Sequence, residues 1–156
     1  LPNPFEEGAR APKFTLPADG GGKIALNDLK GQKIVLYFYP KDDTPGCTVE
    51  AIDFSKAIKK FENAGAAVIG VSKDSVERHD KFKAKHKLKV VLAADEDGKV
   101  LEKYGVWIEK NMYGKKFMGI ERATFLIDEK GVIRRIWRKV RVKGHVDAVL
   151  EAVKEL

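Results

Sequence analysis

Lys33-Ile34-Val35-Leu36-Tyr37-Phe38-Tyr39-Pro40-Lys41-Asp42-Asp43-Thr44-Pro45-Gly46-Cys47 decides the fold. The run from Lys33 to Tyr39 is β-branched, aliphatic and aromatic without alternation, so it reads as a central strand buried on both faces. Pro40 ends it. Thr44-Pro45 is a capping residue followed by proline, which marks a helix start. From there to Ala64, the residues Cys47, Ala51, Phe54, Ile58 and Phe61 recur at helical spacing, and Gly65 closes the helix. Ala67-Val68-Ile69-Gly70-Val71 is a second buried strand. Strand, helix and strand of this length form a βαβ unit, with a parallel pair and a right-handed crossover.

Downstream, Asp74-Ser75 caps a helix running to about Lys87, Lys89 to Leu92 is a short strand, and Gly98 to Tyr104 a short helix. Ala123 to Ile127, the turn Asp128 to Gly131 and Val132 to Val140 form a hairpin. Its second half does not alternate cleanly: Val132, Ile136 and Val140 share a face with Arg134 and Arg138, which suggests an edge strand. Lys143 to Leu156 closes the chain as a helix with Val146, Val149, Leu150 and Val153 as its apolar stripe. Gly20-Gly21-Gly22 reads as a turn, since no phosphate-loop pattern surrounds it. The periodicity supports an α/β sandwich in one domain, residues 1–156.

The chain has 156 residues, 44% hydrophobic and 34% charged, which suits an ordinary globular core. No apolar stretch approaches the roughly 18 residues that span a bilayer. The opening Leu1-Pro2-Asn3-Pro4-Phe5-Glu6-Glu7 lacks the order of a signal peptide, and a single cysteine suits a reducing compartment, so a cytoplasmic protein is expected. The net charge of +7 raises nucleic acid as a partner. Basic residues are nevertheless mixed with acids throughout, except for a dense segment from Lys130 to Lys143, and a solvated surface explains them better. No nucleic-acid or membrane partner is expected.

Cys47 is the only cysteine, so it cannot form an internal disulfide or a thiolate metal cage. In the first helical turn, unpaired N–H groups and the helix dipole favour an anion, here the thiolate. Sharing a face with Phe54 and Ile58, its sulfur should point toward the sheet, at the base of a pocket open to small molecules. The Thr44 hydroxyl can cap the helix or bond the sulfur or a substrate oxygen, and Pro40 helps shield the site. A buried cysteine acting as a small hydrophobe is the bland alternative. The loop placement favours reactivity. His79 shares a helical stripe with Val76 and Phe82 and reads as a packed or partly exposed histidine; His86 and His145 lack partners at metal spacing. Trp107, Met112, Tyr113 and Met118 either wall the pocket or pack in the core.

Phe38 to Glu50, with its Pro40-x-x-x-Thr44-x-x-Cys47 core, resembles the peroxidatic segment of peroxiredoxins, closest to the bacterioferritin-comigratory (Q-type) subfamily. Ala11-Pro12-Lys13-Phe14-Thr15-Leu16, Gly70-Val71-Ser72-Lys73-Asp74-Ser75, Asn111-Met112-Tyr113-Gly114 and Gly119 to Asp128 extend the resemblance over nearly the whole chain. It implies a thioredoxin-like fold, a central mixed sheet flanked by helices. It further implies reduction of hydrogen peroxide and organic hydroperoxides without metal, haem, flavin or other cofactor. Carried over, Cys47 is the peroxidatic nucleophile, Thr44 and Pro40 complete its loop, and Arg122 approaches the sulfur. Glu50, one turn beyond Cys47, would hold Arg122 as an ion pair that aims it at the thiolate. A monomer is expected.

Ionisation alone is too small an effect. A free thiol is about 3% ionised at pH 7, so complete ionisation gains roughly thirty-fold. Enzymes gain ~10⁶ or more, at least about 8 kcal/mol. Arg122, Thr44 and the Cys47 N–H must therefore align the peroxide and stabilise the departing oxygen. Many relatives carry a second, resolving cysteine at the position of Ile52 or near Lys83; neither is cysteine here. Ile52 is expected to be exposed, with no packing role. The sulfenic acid on Cys47 must then be reduced by an external thiol such as thioredoxin, glutaredoxin or glutathione. A thiol–disulfide exchange protein on the same fold is disfavoured by the lack of C-x-x-C. A basic binding protein with an inert cysteine is disfavoured by the loop pattern.

Overall fold

A computed structural model describes residues 6–156; the opening segment through Phe5, read above for a signal peptide, lies outside them. The expected central strand is β3 (Lys33–Phe38), following a small antiparallel hairpin of β1 (Thr15–Pro17) and β2 (Lys23–Ala25). The expected helix after it is broken in two, α1 (Pro45–Lys56) and α2 (Ile58–Asn63). The break falls at Ala57, which leaves helical geometry at ψ 3°. β4 (Ala66–Ser72), α3 (Val76–His86), β5 (Val91–Ala94) and α4 (Lys99–Lys103) follow. Then come β6 (Trp107–Met112), β7 (Lys115–Ile120), β8 (Ala123–Ile127), β9 (Ile133–Trp137) and α5 (His145–Lys154).

Five strands form the central sheet in the order β5-β4-β3-β8-β9. β3 pairs parallel with β4 (Lys33 opposite Ala66) and antiparallel with β8 (Phe38 opposite Ala123), so the sheet is mixed. Continuous hydrophobicity follows from this position. Ile34, Leu36 and Phe38 enter one core with Ile69, Tyr104 and Phe125; Val35, Tyr37 and Tyr39 enter the other with Phe54, Leu92 and Val149. β9 is an edge strand, as its pattern suggested. A bulge against Leu126 and Ile127 explains the broken alternation: Ile133 opposes Ile127 while Ile136 opposes Phe125, so both reach the same core. The α5 stripe Val146, Val149, Leu150 and Val153 is buried as expected.

Three expectations change. The short strand begins two residues later than the pattern suggests, because the Lys89 N–H is taken by Ser55 Oγ at 2.9 Å and pairing with β4 starts only at Val91. The sequence pattern gives no sign of the antiparallel β6–β7 hairpin, whose strands mix apolar and charged residues and are mostly exposed, with Met112, Phe117 and Met118 facing solvent. Tyr113 turns it in the left-handed region (φ 54°) and is 98% exposed, so it walls no pocket. Ile52 is half-buried and packs against the core that holds Phe54, so isoleucine does have a packing role there. Among the described residues no helix is long and apolar enough to cross a membrane.

Candidate active site

β3 delivers the chain to the C-terminal edge of the sheet, where half-buried Pro40 turns it into the loop before α1. Thr44 takes the N-cap position with extended geometry, Pro45 is the first helical residue, and the Thr48 N–H makes the first helical bond to the Thr44 carbonyl at 2.9 Å. The Gly46 and Cys47 N–H groups therefore lie in the unpaired first turn. The Thr44 hydroxyl neither caps the helix nor bonds the sulfur: it donates to the Lys41 carbonyl at 2.8 Å and braces the loop. Its lone pairs remain available to accept.

Cys47 is 1% exposed, with Ala51 and Phe54 continuing its buried face. The sulfur is thus more enclosed than the open pocket expected. Arg122 arrives from the strand-to-strand connection between β7 and β8, held by the Val140 N–H on its carbonyl at 3.0 Å. Its Nη2 donates to Cys47 Sγ at 3.2 Å and its Nη1 to Glu50 Oε1 at 2.7 Å. The expected ion pair and the expected approach to sulfur are therefore made by one guanidinium. Burial opposes charge on Arg122, but Glu50 and Cys47 outweigh it and raise its pKa further above the ordinary value.

Glu50 is fully buried, and burial pushes its carboxyl up to about 7 despite Arg122. A 2.7 Å contact indicates an ionised pair, whereas desolvation favours the acid; both forms are populated near neutral pH, since a protonated carboxyl still accepts from Arg122. Glu50 Oε2 and the Tyr37 hydroxyl are buried and find no hydrogen-bond partner among the described residues. Tyr37 stacks on Phe54 and feels both Glu50 and Cys47. Gly70 opposes it because a Cβ there would fall 2.7 Å from the Tyr37 ring.

Three contributors were missed in the sequence. Gly46 makes room for Arg122: a Cβ there would lie 3.2 Å from Nη2. Lys110 on β6 is half-buried within electrostatic reach of Arg122 and Cys47, and burial, then Arg122, lowers its pKa. His79 is wholly buried and bonded to Asp42 of the active loop, not merely packed. A titratable residue on the stripe shared with Phe82 was the available signal, since a buried imidazole needs partners.

The AhpC/TSA family model matches residues 8–136. A relative called putative peroxiredoxin bcp from Coxiella burnetii is 55% identical, covering 94% of this chain and 97% of its own. Peroxiredoxin Bcp of Escherichia coli K12 is 42% identical over 98% of both. Among solved structures, Xanthomonas campestris bacterioferritin comigratory protein, studied for alkyl peroxide reduction, superposes with a TM-score of 0.87 at 46% identity, covering 91% of this chain and 90% of that one. A mutant of Xylella fastidiosa PrxQ gives 0.92 at 39% identity, with 97% and 96% covered. With the thioredoxin-like mixed sheet and a lone cysteine under an arginine, these likenesses give one conclusion: the chain belongs to the AhpC/TSA family, as a thiol peroxidase of the Bcp (Q-type) peroxiredoxins.

Proposed function

We propose that Cys47 is the nucleophile that reduces hydrogen peroxide and alkyl hydroperoxides, and that residues 1–156 act as one peroxiredoxin domain. The observation that carries this reading is the Arg122 Nη2 to Cys47 Sγ contact of 3.2 Å at the start of α1. The thiolate attacks the terminal peroxide oxygen, an S–O bond forms, and the O–O bond breaks. The departing oxygen takes a proton and leaves as water or alcohol. Arg122 and the first-turn N–H groups stabilise the negative charge as it moves from sulfur to oxygen. Thr44, with hydroxyl lone pairs free while its proton is held on Lys41, accepts from the peroxide and orients it. Pro40 shapes the loop, and Glu50 holds Arg122.

Oxidised Cys47 condenses with an external thiol, releasing water, and a second thiol releases the disulfide and restores Cys47. Thioredoxin, glutaredoxin and glutathione are the candidate reductants, in a monomeric cytoplasmic enzyme. A coupled assay with hydrogen peroxide or cumene hydroperoxide and each reductant tests this. Sustained turnover is expected with at least one; consumption of peroxide with none of these thiols would sink the reading.

A further inference from the structure

The β6–β7 hairpin stands apart from the central sheet as a two-stranded ribbon, and neither the core nor the chemistry above uses its far end. Its base is fixed. The Glu121 N–H donates to the Val106 carbonyl at 2.7 Å, Ile120 is buried, and Trp107 packs on the core under the Lys73 ammonium at 4.6 Å. Its tip is bare. Tyr113 (φ 54°) and Gly114 (φ 79°) close a two-residue turn, and Tyr113 is 98% exposed. Among the described residues six large apolar side chains are exposed, and four of them, Met112, Tyr113, Phe117 and Met118, lie here. Single exposed apolar residues are ordinary, but four around one tip mark a surface for an apolar partner.

The arrangement selects that partner. Register puts Lys110 with Phe117 and Met112 with Lys115 on one face, and Glu109 with Met118 and Asn111 with Lys116 on the other. Gly119 agrees with the first face: a Cβ there would lie 3.2 Å from Lys110 Cδ and 3.4 Å from Phe117 Cε2. Apolar groups therefore surround the tip instead of lining one side. A protein docked on either face would leave the other face wet. A second copy would also bring Lys115 and Lys116 against the same lysines, between chains of net charge +7. A bilayer surface closes around the tip, and its anionic headgroups complement Lys110, Lys115 and Lys116. Within the hairpin these face only Glu109, whose pair with Lys116 is exposed, at 3.9 Å. Phe117 stands about 7 Å and Met118 about 10 Å behind the Met112–Lys115 pair, the depth to which interfacial segments enter. Deeper entry is barred, because a two-stranded ribbon carries unpaired N–H and C=O groups along both edges.

We propose that the tip of the β6–β7 hairpin docks reversibly on anionic lipid bilayers, with Met112, Tyr113, Phe117 and Met118 in the interface and Lys115 and Lys116 on the headgroups. The expectation of no membrane partner followed from the lack of a spanning stretch, which does not bear on docking of this kind. The hairpin also carries Lys110, within electrostatic reach of Cys47 and Arg122, and β7 leads to Arg122 two residues past Ile120. Docking therefore turns the end of the molecule that holds the sulfur toward the lipid. Binding itself needs no chemistry at Cys47.

The test is co-sedimentation with sucrose-loaded vesicles of phosphatidylcholine, or of an equal mixture of phosphatidylcholine and phosphatidylglycerol, at low and at high salt. The parent should bind the mixed vesicles at least about ten-fold more tightly than the neutral ones, and salt should release it. Tyr113→Ser combined with Phe117→Ser should weaken binding about ten-fold or more, and so should Lys115→Gln combined with Lys116→Gln. All four are exposed, so hydrogen peroxide consumption in solution should stay at the parent's level in both variants. Cys47→Ser should bind as the parent does, which separates this inference from the assignment of the nucleophile. Absence of binding to the mixed vesicles overturns the proposal. Binding that survives the Tyr113→Ser and Phe117→Ser pair also overturns it, because the basic segment from Lys130 to Lys143 would then account for the attraction. A concentration-dependent dimer in light scattering, lost in the same pair, would assign the tip to a second copy and overturn it as well.

Discussion

Arg122 and Cys47 are 75 residues apart in the chain, yet Arg122 Nη2 lies 3.2 Å from Cys47 Sγ while Nη1 of the same group is held by Glu50 at 2.7 Å. The cation is therefore fixed by a buried carboxylate one helical turn beyond the sulfur it serves. On the mechanism proposed above, positioning is built into the ground state, so little reorganisation is needed when charge moves onto the peroxide oxygen.

Replacing Arg122 by alanine should slow peroxide reduction by about 10²–10³. Alkylation of Cys47 by iodoacetamide, which needs a thiolate but no peroxide alignment, should slow far less. Equal losses in both reactions would assign Arg122 to thiolate stabilisation alone.

Gly46→Ala adds a methyl 3.2 Å from Arg122 Nη2. Alanine suits a helix better than glycine by roughly 1 kcal/mol, so thermal stability should hold or rise. Peroxide reduction should nevertheless fall about ten-fold as Arg122 is displaced. Unchanged kinetics would mean that the guanidinium can shift without loss.

Glu50 gives a pH signature. Its carboxyl is pushed up to about 7 by burial, from an ordinary value of 4.5, so between those pH values the folded chain holds a proton that the unfolded chain has released. This contribution is present below the unfolded value and is lost as pH rises through the folded one. Glu50→Gln mimics the protonated form. It should match the parent near about pH 4, below both values, and exceed it in stability near about pH 8 by on the order of 1–3 kcal/mol. Denaturant melts at both pH values check this; a difference independent of pH would contradict it.

How much was legible follows from what kind of signal each residue carries. Lys33–Phe38, the α1 stripe and the α5 stripe were readable because burial on a regular element imposes a period, and Cys47 and Thr44 because a helix start has local chemistry. Arg122 and Glu50 came from the resemblance, since nothing local in the sequence joins residues 72 positions apart. The β6–β7 hairpin was silent because it buries too little to be patterned. The Thr44 hydroxyl was misdirected because an N-cap residue can bond forward to the helix or back to its loop, and Lys41 wins here. Asp42 and His79 looked ordinary because buried polar pairing is a tertiary property.

The absence of a second cysteine sets the fate of the oxidised enzyme. Peroxide without thiol should give one turnover per chain, leaving a sulfenic acid that dimedone traps, and excess peroxide should then add a second oxygen. Mass spectrometry of the intact chain reads each species. A quantitative Cys47–Cys47 dimer as the main product would contradict this, since the sulfur is only 1% exposed.

Peroxide consumption by Cys47→Ser tests the central claim most directly. Serine keeps the size and hydrogen-bonding capacity of the side chain but has no accessible anion near neutral pH, so the fold and the Arg122–Glu50 pair should survive. With excess thiol present, the parent should turn over continuously and the serine variant should not consume peroxide above the thiol-only background. Parent-like consumption by a folded Cys47→Ser protein would contradict the account.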